Sequence, residues 1–162
     1  MCGFSRLTIR HGIVHYLAMI RRMQRTVVPL VSKARGHVVK TEADNVFATF
    51  AKVSDAISCA RTIQSELQRA NEVLPEDWDV LVGIGIGYGP LLLIGDDDVF
   101  GSEMNLASKL GEDIAEAGEI LLTASAYERA GSAKRGFKTQ RAKLGKLSFP
   151  YYRAQAKTKR GS

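Results

Sequence analysis

A cation and a carboxylate stand four residues apart in the segment from Lys40 to Asp44. The apolar residues on either side, at 38–39 and 46–50, are typical of two strands joined by a tight turn. A carboxylate at such a turn can bind Mg²⁺, which prefers one or two carboxylates together with phosphate oxygens. A lysine on a strand can donate to a phosphate or to a ring nitrogen. Taken alone, such a pair is more often a surface salt bridge.

A second polar segment runs from Asp98 to Leu110 and combines an acid, a glycine at a helix start, and an amide four residues before a cation. The amide and the cation are Asn105 and Lys109, and their i, i+4 spacing places them on one face of a helix. Such a pair can bind a ribose and a developing charge on a phosphoryl group. In isolation, a polar helix flank is the commoner role.

Glycine alternates with bulkier residues over residues 83–89. The spacing fits neither the G-x-G-x-x-G nor the G-x-x-x-x-G-K-S/T pattern, so it does not indicate a Rossmann or P-loop phosphate site. On a strand, alternate glycines leave one face flat. The pattern favours close packing of another element over contact with a bound nucleotide.

The elements that must position these residues are read from hydrophobic periodicity and turn residues. Helices are predicted over 4–34 (one long or two short), 54–71 with Ser54 or Asp55 as the cap, 102–114 and 125–130, and strands over 38–39, 46–50, 79–88, 91–94 and 119–123, followed by a hairpin over 137–154. This order predicts an α+β sandwich with helices packed against a sheet.

One compact domain is expected, because 162 residues with 45% hydrophobic content suffice for a single core. No apolar run approaches the roughly 20 residues of a membrane helix, so no membrane contact is predicted for this chain. The N-terminus lacks the layout of a secretory signal peptide. The two cysteines, Cys2 and Cys59, form neither a CxxC pair nor a His/Cys cluster. A cytoplasmic location with reduced thiols is therefore predicted.

The formal charge of +6, from 23 Lys and Arg against 17 Asp and Glu, favours anionic partners. Much of the excess lies at Arg21, Arg22 and Arg25 and in residues 134–160. Solvated helix and tail charges are the simpler explanation, and residues 157–162 are predicted to be a basic disordered tail. A nucleic-acid-binding domain is a disfavoured alternative, because interleaved aromatic residues and a reading helix are missing from the pattern.

In order and spacing, the polar and glycine-rich segments together resemble the catalytic domains of class III adenylyl/guanylyl cyclases over nearly the whole chain. Five segments carry the resemblance: residues 3–5 resemble D-x-x-G-F-S/T, 40–44 K-x-x-G-D, 83–89 R-x-G-I-x-x-G, 98–110 D-x-x-G-x-x-x-N-x-A-x-R-L, and 118–121 G-E-I-x-x-S. Each motif alone is weak, and five in register are strong. The resemblance implies the ferredoxin-like, palm-type α/β sandwich of that family, with an antiparallel-rich sheet and flanking helices, over residues 1–156.

The resemblance also implies roles for individual residues. Lys40 and Asp98 match the pair that reads the adenine edge. Lysine can donate to an adenine ring nitrogen, and a carboxylate can accept from the exocyclic amine. Guanine presents the opposite polarity and would leave buried groups unpaired, so ATP is favoured over GTP.

The remaining roles concern the metal, the ribose and the phosphates. Asp44 matches a metal-binding aspartate, and Asn105 matches the residue that orients the ribose. Lys109 stands where the family usually has an arginine that stabilises the pentavalent phosphorus. Either Lys143 or Lys146 is expected to reach the triphosphate, since the family's K-G pattern here reads Leu144-Gly145.

The implied reaction is the attack of the ribose 3′-hydroxyl on the α-phosphorus, with two Mg²⁺ or Mn²⁺ ions per site, which gives cyclic AMP and pyrophosphate. In the family, the metal aspartates come from one subunit and the base-reading and transition-state residues from the other. The resemblance therefore implies a homodimer with composite sites. An upstream sensor or regulatory domain is a further expected partner in signal transduction.

Three departures from the family pattern bear on activity. The leading aspartate of D-x-x-G-F, with the strand before it, would precede Met1. Lys109 keeps the charge of the usual arginine but lacks the planar guanidinium group that can bind two phosphate oxygens at once. Glu42 and Ala43 stand where the family has an apolar residue and glycine. The alternative is therefore a degenerate, inactive cyclase-homology domain with a regulatory or dimerising role.

Overall fold

The structure is a computed structural model that describes residues 1–2, 4–95, 98–144 and 147–154, with the side chains of 4–11, 144 and 147 outside the description. The helical elements are α1 (Phe4–Lys33), α2 (Val53–Asn71), a 3₁₀ turn (Glu76–Trp78), α3 (Ser102–Lys109) continued by a π-helical turn (Leu110–Ile114), α4 (Ala124–Arg129) and a second 3₁₀ turn (Gly131–Lys134). The strands are β1 (His37–Glu42), β2 (Asn45–Thr49), β3 (Ile84–Ile86), β4 (Leu92–Ile94), β5 (Asp98–Phe100), β6 (Ile120–Thr123), β7 (Phe137–Leu144) and β8 (Leu147–Ala154).

The described strands form a four-stranded sheet in the order β3-β6-β8-β7 and two hairpins, β1-β2 and β4-β5. β3 pairs with β6 in parallel, whereas β8 is antiparallel to both β6 and β7. Helices α2, α3 and α4 pack against β3 or β6. The predicted α+β class, with an antiparallel-rich arrangement and flanking helices, is confirmed. The predicted tail at 157–162 and the domain boundary at 156 lie outside the described residues.

Of the three apolar clusters among the described residues, two bury most of the contact between the helices and the sheet. The first joins one face of α1, at Met19, Met23 and Val27, to α2 at Ile63 and Leu67. The second forms around β6, which is buried along its whole length. Burial on both faces is typical of a central strand and explains the unbroken apolar sequence of β6.

The alternate glycines let α3 and its π-helical extension lie directly on β3 and the segments that flank it. A Cβ on Gly85 would overlap the carbonyl of Ala107, and one on Gly83 would lie 2.6 Å from the Cβ of Ala115. A Cβ on Gly87 would lie 2.6 Å from the carbonyl oxygen of Glu103. The sequence-based expectation that these glycines serve close packing is supported by this geometry.

Several element boundaries differ from the sequence-based predictions. The N-cap of α2 is Lys52, which makes no side-chain cap hydrogen bond, so neither Ser54 nor Asp55 is the cap. Only Ile84–Ile86 of the predicted strand over 79–88 joins the sheet. Asp98, which lies outside every predicted strand, begins β5. Cross-strand pairing with β4 decides that assignment, and a three-residue strand leaves little periodicity to detect.

The β1-β2 turn contains Ala43 in a left-handed conformation, with φ of 49°. This backbone region favours glycine, because a Cβ approaches the following carbonyl oxygen there. The departure of Ala43 from the family's glycine thus changes the residue without removing the turn. No helix of the described residues is long and apolar enough to cross a membrane.

Replacing Gly85 with alanine tests the close helix-strand contact. We expect a loss of about 3 kcal/mol in the free energy of unfolding, because the added methyl group meets the backbone of α3 and the backbone cannot move aside cheaply. Gly118→Ala is the matched control, since a Cβ at Gly118 meets nothing within 4 Å and its φ of 82° costs about 1 kcal/mol. Urea denaturation measures both losses, and equal losses would contradict the packing argument.

Candidate functional site

Lys40 on β1 and Asp98 on β5 form an ion pair although 58 residues separate them in sequence. Lys40 Nζ donates to Asp98 Oδ1 at 2.9 Å and lies 3.4 Å from Glu42 Oε2. The ammonium also lies 5.2 Å from the ring centroid of Phe47, within cation-π distance. The structure therefore brings together the two residues that the sequence predicts for base recognition.

Each residue of this pair stabilises the charged form of the other. The hydrogen bond to Asp98 raises the pKa of Lys40 above its ordinary value. The same bond, with a second one from the backbone N–H of Val99, lowers the pKa of Asp98. Both groups are thus charged at neutral pH. Their side chains are 30% and 38% exposed, so the pair can offer both a donor and an acceptor to a planar ligand.

Asp44 lies in the β1-β2 turn with its side chain 19% exposed. Its Oδ2 is 2.9 Å from the amino nitrogen of Met1, and it also hydrogen-bonds Tyr16. Burial and the charge of Asp44 both raise the pKa of the Tyr16 hydroxyl, which therefore keeps its proton. The carboxylate is held between α1 and the start of the described chain.

Divalent metal ions were predicted at Asp44. Within the described ranges, no group of three or more His, Cys, Asp or Glu side chains could hold a metal ion. One partly exposed carboxylate fits a Mg²⁺ ion whose other ligands are phosphate oxygens and water. Asp44 would supply one protein ligand, and the nucleotide would have to bring others.

Asn105 and Lys109 lie on the exposed face of α3, as their spacing predicts. Lys109 Nζ is 3.1 Å from Asp113 Oδ2, one turn further along the chain. Lys143 is exposed on β7, paired in register with Ser148 of β8. Lys146 lies outside the described residues, so the choice between the two C-terminal lysines stays open.

A cavity of about 1200 Å³ lies between β2, the first half of α2, the glycine-rich segment and α3. Met104 and Ser108 of α3 line it, whereas Asn105 and Lys109 do not. Of the predicted site residues that the structure describes, only Asp44 lines this cavity. This cavity therefore does not gather the predicted site residues that the structure describes.

Glu103 is a half-buried residue whose hydrogen bonds the sequence analysis missed. Its carboxylate accepts hydrogen bonds from the hydroxyls of Thr123 and Ser125. The sequence does contain a signal for its position. Glu103, Ala107 and Gly111 are spaced four residues apart, so they share one face of the helix, the face that meets the alternate glycines.

Comparison with known proteins gives an independent view of this arrangement. The chain is 29% identical over 126 residues to a Rhizobium meliloti (strain 1021) protein provisionally named adenylate cyclase 3, covering 78% of this chain and 21% of that protein. It is 26% identical over 121 residues to the Myxococcus xanthus serine/threonine-protein kinase pkn2, covering 75% of this chain and 14% of the kinase. The chain thus spans about a fifth or less of the length of these relatives. No protein-family model matches it.

A solved adenylate/guanylate cyclase/hydrolase from Silicibacter pomeroyi superposes with a TM-score of 0.81 at 26% identity, covering 94% of this chain and 90% of the other. The two chains therefore share one architecture over nearly their full length. The resemblance to class III cyclase catalytic domains is confirmed at the level of the fold. The roles of individual residues stay predictions.

Asp98→Asn tests whether the carboxylate controls the charge of Lys40. An ionised Asp98 favours the ammonium, so its loss should lower the pKa of Lys40 and increase the neutral amine fraction near pH 9. Acylation of Lys40 by an amine-reactive reagent, followed by mass spectrometry, should then be several-fold faster. Asp113→Asn is the control, because it removes the partner of Lys109 and should leave Lys40 unchanged. Equal Lys40 reactivity in wild type and Asp98→Asn would contradict the coupling.

Proposed function

We propose that this chain, which has the fold of class III nucleotide cyclase catalytic domains, converts ATP to 3′,5′-cyclic AMP and pyrophosphate. The observation that carries the proposal is the Lys40-Asp98 pair, which joins a donor and an acceptor from distant parts of the sequence. The match to a Rhizobium meliloti protein provisionally named adenylate cyclase 3 supports the same substrate.

Adenine is the base that suits this pair. Lys40 has three N–H donors, of which Asp98 and Glu42 engage two, so one can be donated to a ring nitrogen. Asp98 Oδ1 accepts from Lys40 and Val99, which leaves Oδ2 to accept from the exocyclic amine of adenine. Guanine would place its carbonyl oxygen against the carboxylate, and that repulsion would favour ATP.

In the proposed reaction, the ribose 3′-oxygen forms a bond to the α-phosphorus. The bond from that phosphorus to the bridging oxygen of the β-phosphate breaks, pyrophosphate leaves, and the hydroxyl proton passes to water. Bound Mg²⁺ or Mn²⁺ would neutralise the phosphate charge and acidify the hydroxyl. Asp44 is the residue of this chain assigned to hold the metal.

The exposed face of α3 is assigned to the ribose and the reacting phosphate. Asn105 would orient the ribose, and Lys109 would stabilise charge on the phosphorus oxygens. Lys109 is paired with Asp113 through one of its three N–H donors, and as a lysine it offers a compact charge instead of the planar guanidinium of arginine. Turnover slower than that of an arginine-bearing cyclase is expected. Lys143 or Lys146 would contact the triphosphate.

A homodimer would complete the site. Asp44 lines the cavity, whereas Asn105 and Lys109 are on an exposed surface outside it. A two-fold related copy can bring the surface of one chain to the Asp44 region of the other and form two equivalent sites. The remaining four fifths of a protein like the Rhizobium meliloti relative would carry a sensor or regulator, and a cytoplasmic location with access to ATP is part of the proposal.

Reversal of the base-reading polarity tests the substrate assignment. We expect Lys40→Glu combined with Asp98→Cys to lower kcat/KM for ATP by about 10- to 100-fold and to raise the GTP/ATP ratio, because bonds to charged groups are replaced by repulsion. Product formation is measured chromatographically with Mg²⁺ and with Mn²⁺, on this chain and on forms that include any residues encoded upstream in frame. Glu66→Gln, at a surface pair on α2, is the control. Unchanged selectivity would mean that neither residue contacts the base.

Mixing two inactive variants tests the shared site. Asp44→Ala and Asn105→Ala should each abolish nearly all activity, because each lesion occurs in both sites of its own homodimer. In a heterodimer, one site carries both lesions and the other carries neither. Equal mixing with random exchange should restore about a quarter of wild-type activity, since half the dimers are mixed and each has one intact site.

The control for this mixing experiment is the double variant Asp44→Ala/Asn105→Ala mixed with Asp44→Ala, which can form no intact site. Subunit exchange is verified with two distinguishable affinity tags. If exchange occurs and activity stays absent, the shared-site proposal is wrong. If wild type also lacks turnover under all these conditions, the chain acts instead as a regulatory or dimerising domain.

A further inference from the structure

Glu103 connects the first turn of α3 to two other parts of the chain. The hydroxyl of Thr123 donates to Glu103 Oε2 at 2.6 Å, and the hydroxyl of Ser125 donates to Oε1 at 3.1 Å. The backbone N–H of Tyr88 also donates to Oε2, at 3.3 Å. Both carboxylate oxygens are therefore engaged within the chain.

Thr123, which donates the shortest of these hydrogen bonds, is itself buried. Its residue exposure is 0%, and its Oγ1 also accepts the backbone N–H of Ala126 at the start of α4. A hydroxyl has a single proton to donate, and Thr123 gives it to Glu103. The carboxylate of Glu103 is thus tied to the end of β6 and to the cap of α4.

The glycine-rich segment makes room for Glu103. A Cβ on Gly87 would lie 2.6 Å from the carbonyl oxygen of Glu103, and one on Gly89 would lie 2.7 Å from its Cγ. Both the backbone and the side chain of Glu103 therefore occupy space that two missing side chains leave open.

The N-terminus of α3 lacks a side-chain cap. Its N-cap is Gly101, which offers no side chain to cap the first turn. The first backbone hydrogen bond of the helix runs from Asn105 N to the Gly101 carbonyl oxygen at 3.0 Å. The hydrogen bonds of Glu103 therefore give this turn a side-chain attachment that its N-cap residue does not supply.

We infer that Glu103 is a positioning residue for the proposed reaction. By fixing the first turn of α3 against β6 and the glycine-rich segment, it fixes the direction in which Asn105 presents its amide to the ribose. Glu103 itself touches no reacting atom in this assignment, because its oxygens are used inside the chain. The inference rests on the proposed function and assigns it a residue that the family motif leaves unspecified.

Glu103→Gln is the test, because it replaces one acceptor oxygen by an NH₂ group that cannot accept from Thr123 or Ser125. We expect kcat to fall about 10- to 100-fold while KM for ATP changes less than about threefold. This pattern is expected when the ribose is still bound but is misplaced for the reaction. In an Asn105→Ala background, the same substitution should lower the residual kcat by less than about twofold, since it acts through Asn105. Glu128→Gln, exposed on α4, is the matched control.

Hydrogen exchange supplies a readout independent of turnover. In Glu103→Gln, the amides of residues 102–106 should exchange faster, while those of β6 stay protected. Unchanged kcat and unchanged exchange would overturn the inference and leave the proposed function standing. A full additional loss in the Asn105→Ala background would also overturn it, because the effect would then be general destabilisation.

If Glu103→Gln does not fold, Ser125→Ala removes one donor and keeps the buried Thr123 contact, and it should lower kcat about three- to tenfold in the same pattern. If wild type shows no turnover, the proposed function fails. The exchange measurement then decides alone whether Glu103 holds the turn.

Discussion

The close contact between α3 and the glycine-rich segment is the constraint on which the rest of the structure depends. Four residues of a helix advance about 6 Å, and two residues of a strand advance about 6.6 Å. Residues at i, i+4 and i+8 of a helix can therefore match alternate residues of a strand. Here the helix presents Glu103, Ala107 and Gly111, and the segment presents glycines. The match brings the two backbones together, because the segment places no side chain of its own between them.

Because of this contact, one face of α3 packs against the chain and the opposite side is left available for binding or catalysis. One face is occupied by the glycine-rich segment, so the polar residues of the motif must lie elsewhere on the helix. Asn105 and Lys109 follow on the exposed side, while Met104 and Ser108 border the cavity. A chain built in this way carries its catalytic candidates on an outward surface, where a second copy can reach them.

The sequence predicted those features that local pattern determines. The strand pairs β1-β2 and β7-β8 follow from alternation and turn residues, and the flat glycine face follows from period two. The Lys40-Asp98 contact came from a family resemblance, because no local pattern joins residues 58 positions apart. The Lys52 cap, strand β5 and the Glu103 contacts with Thr123 and Ser125 escaped prediction. Each depends on what packs nearby in three dimensions, which propensity does not encode.

Lys109 illustrates how a residue can hold a local contact and still be available for another role. Its ion pair with Asp113 joins two side chains that are each about half exposed, at 52% and 51%. Pairs of this kind contribute about 0 to 1 kcal/mol, because water screens the charges and two flexible side chains must be ordered. A polyphosphate carries several negative charges and can offer the ammonium more than one oxygen. The contact with Asp113 therefore holds Lys109 only weakly, and it is the shape of the lysine head group, not its present partner, that limits how well it can replace arginine.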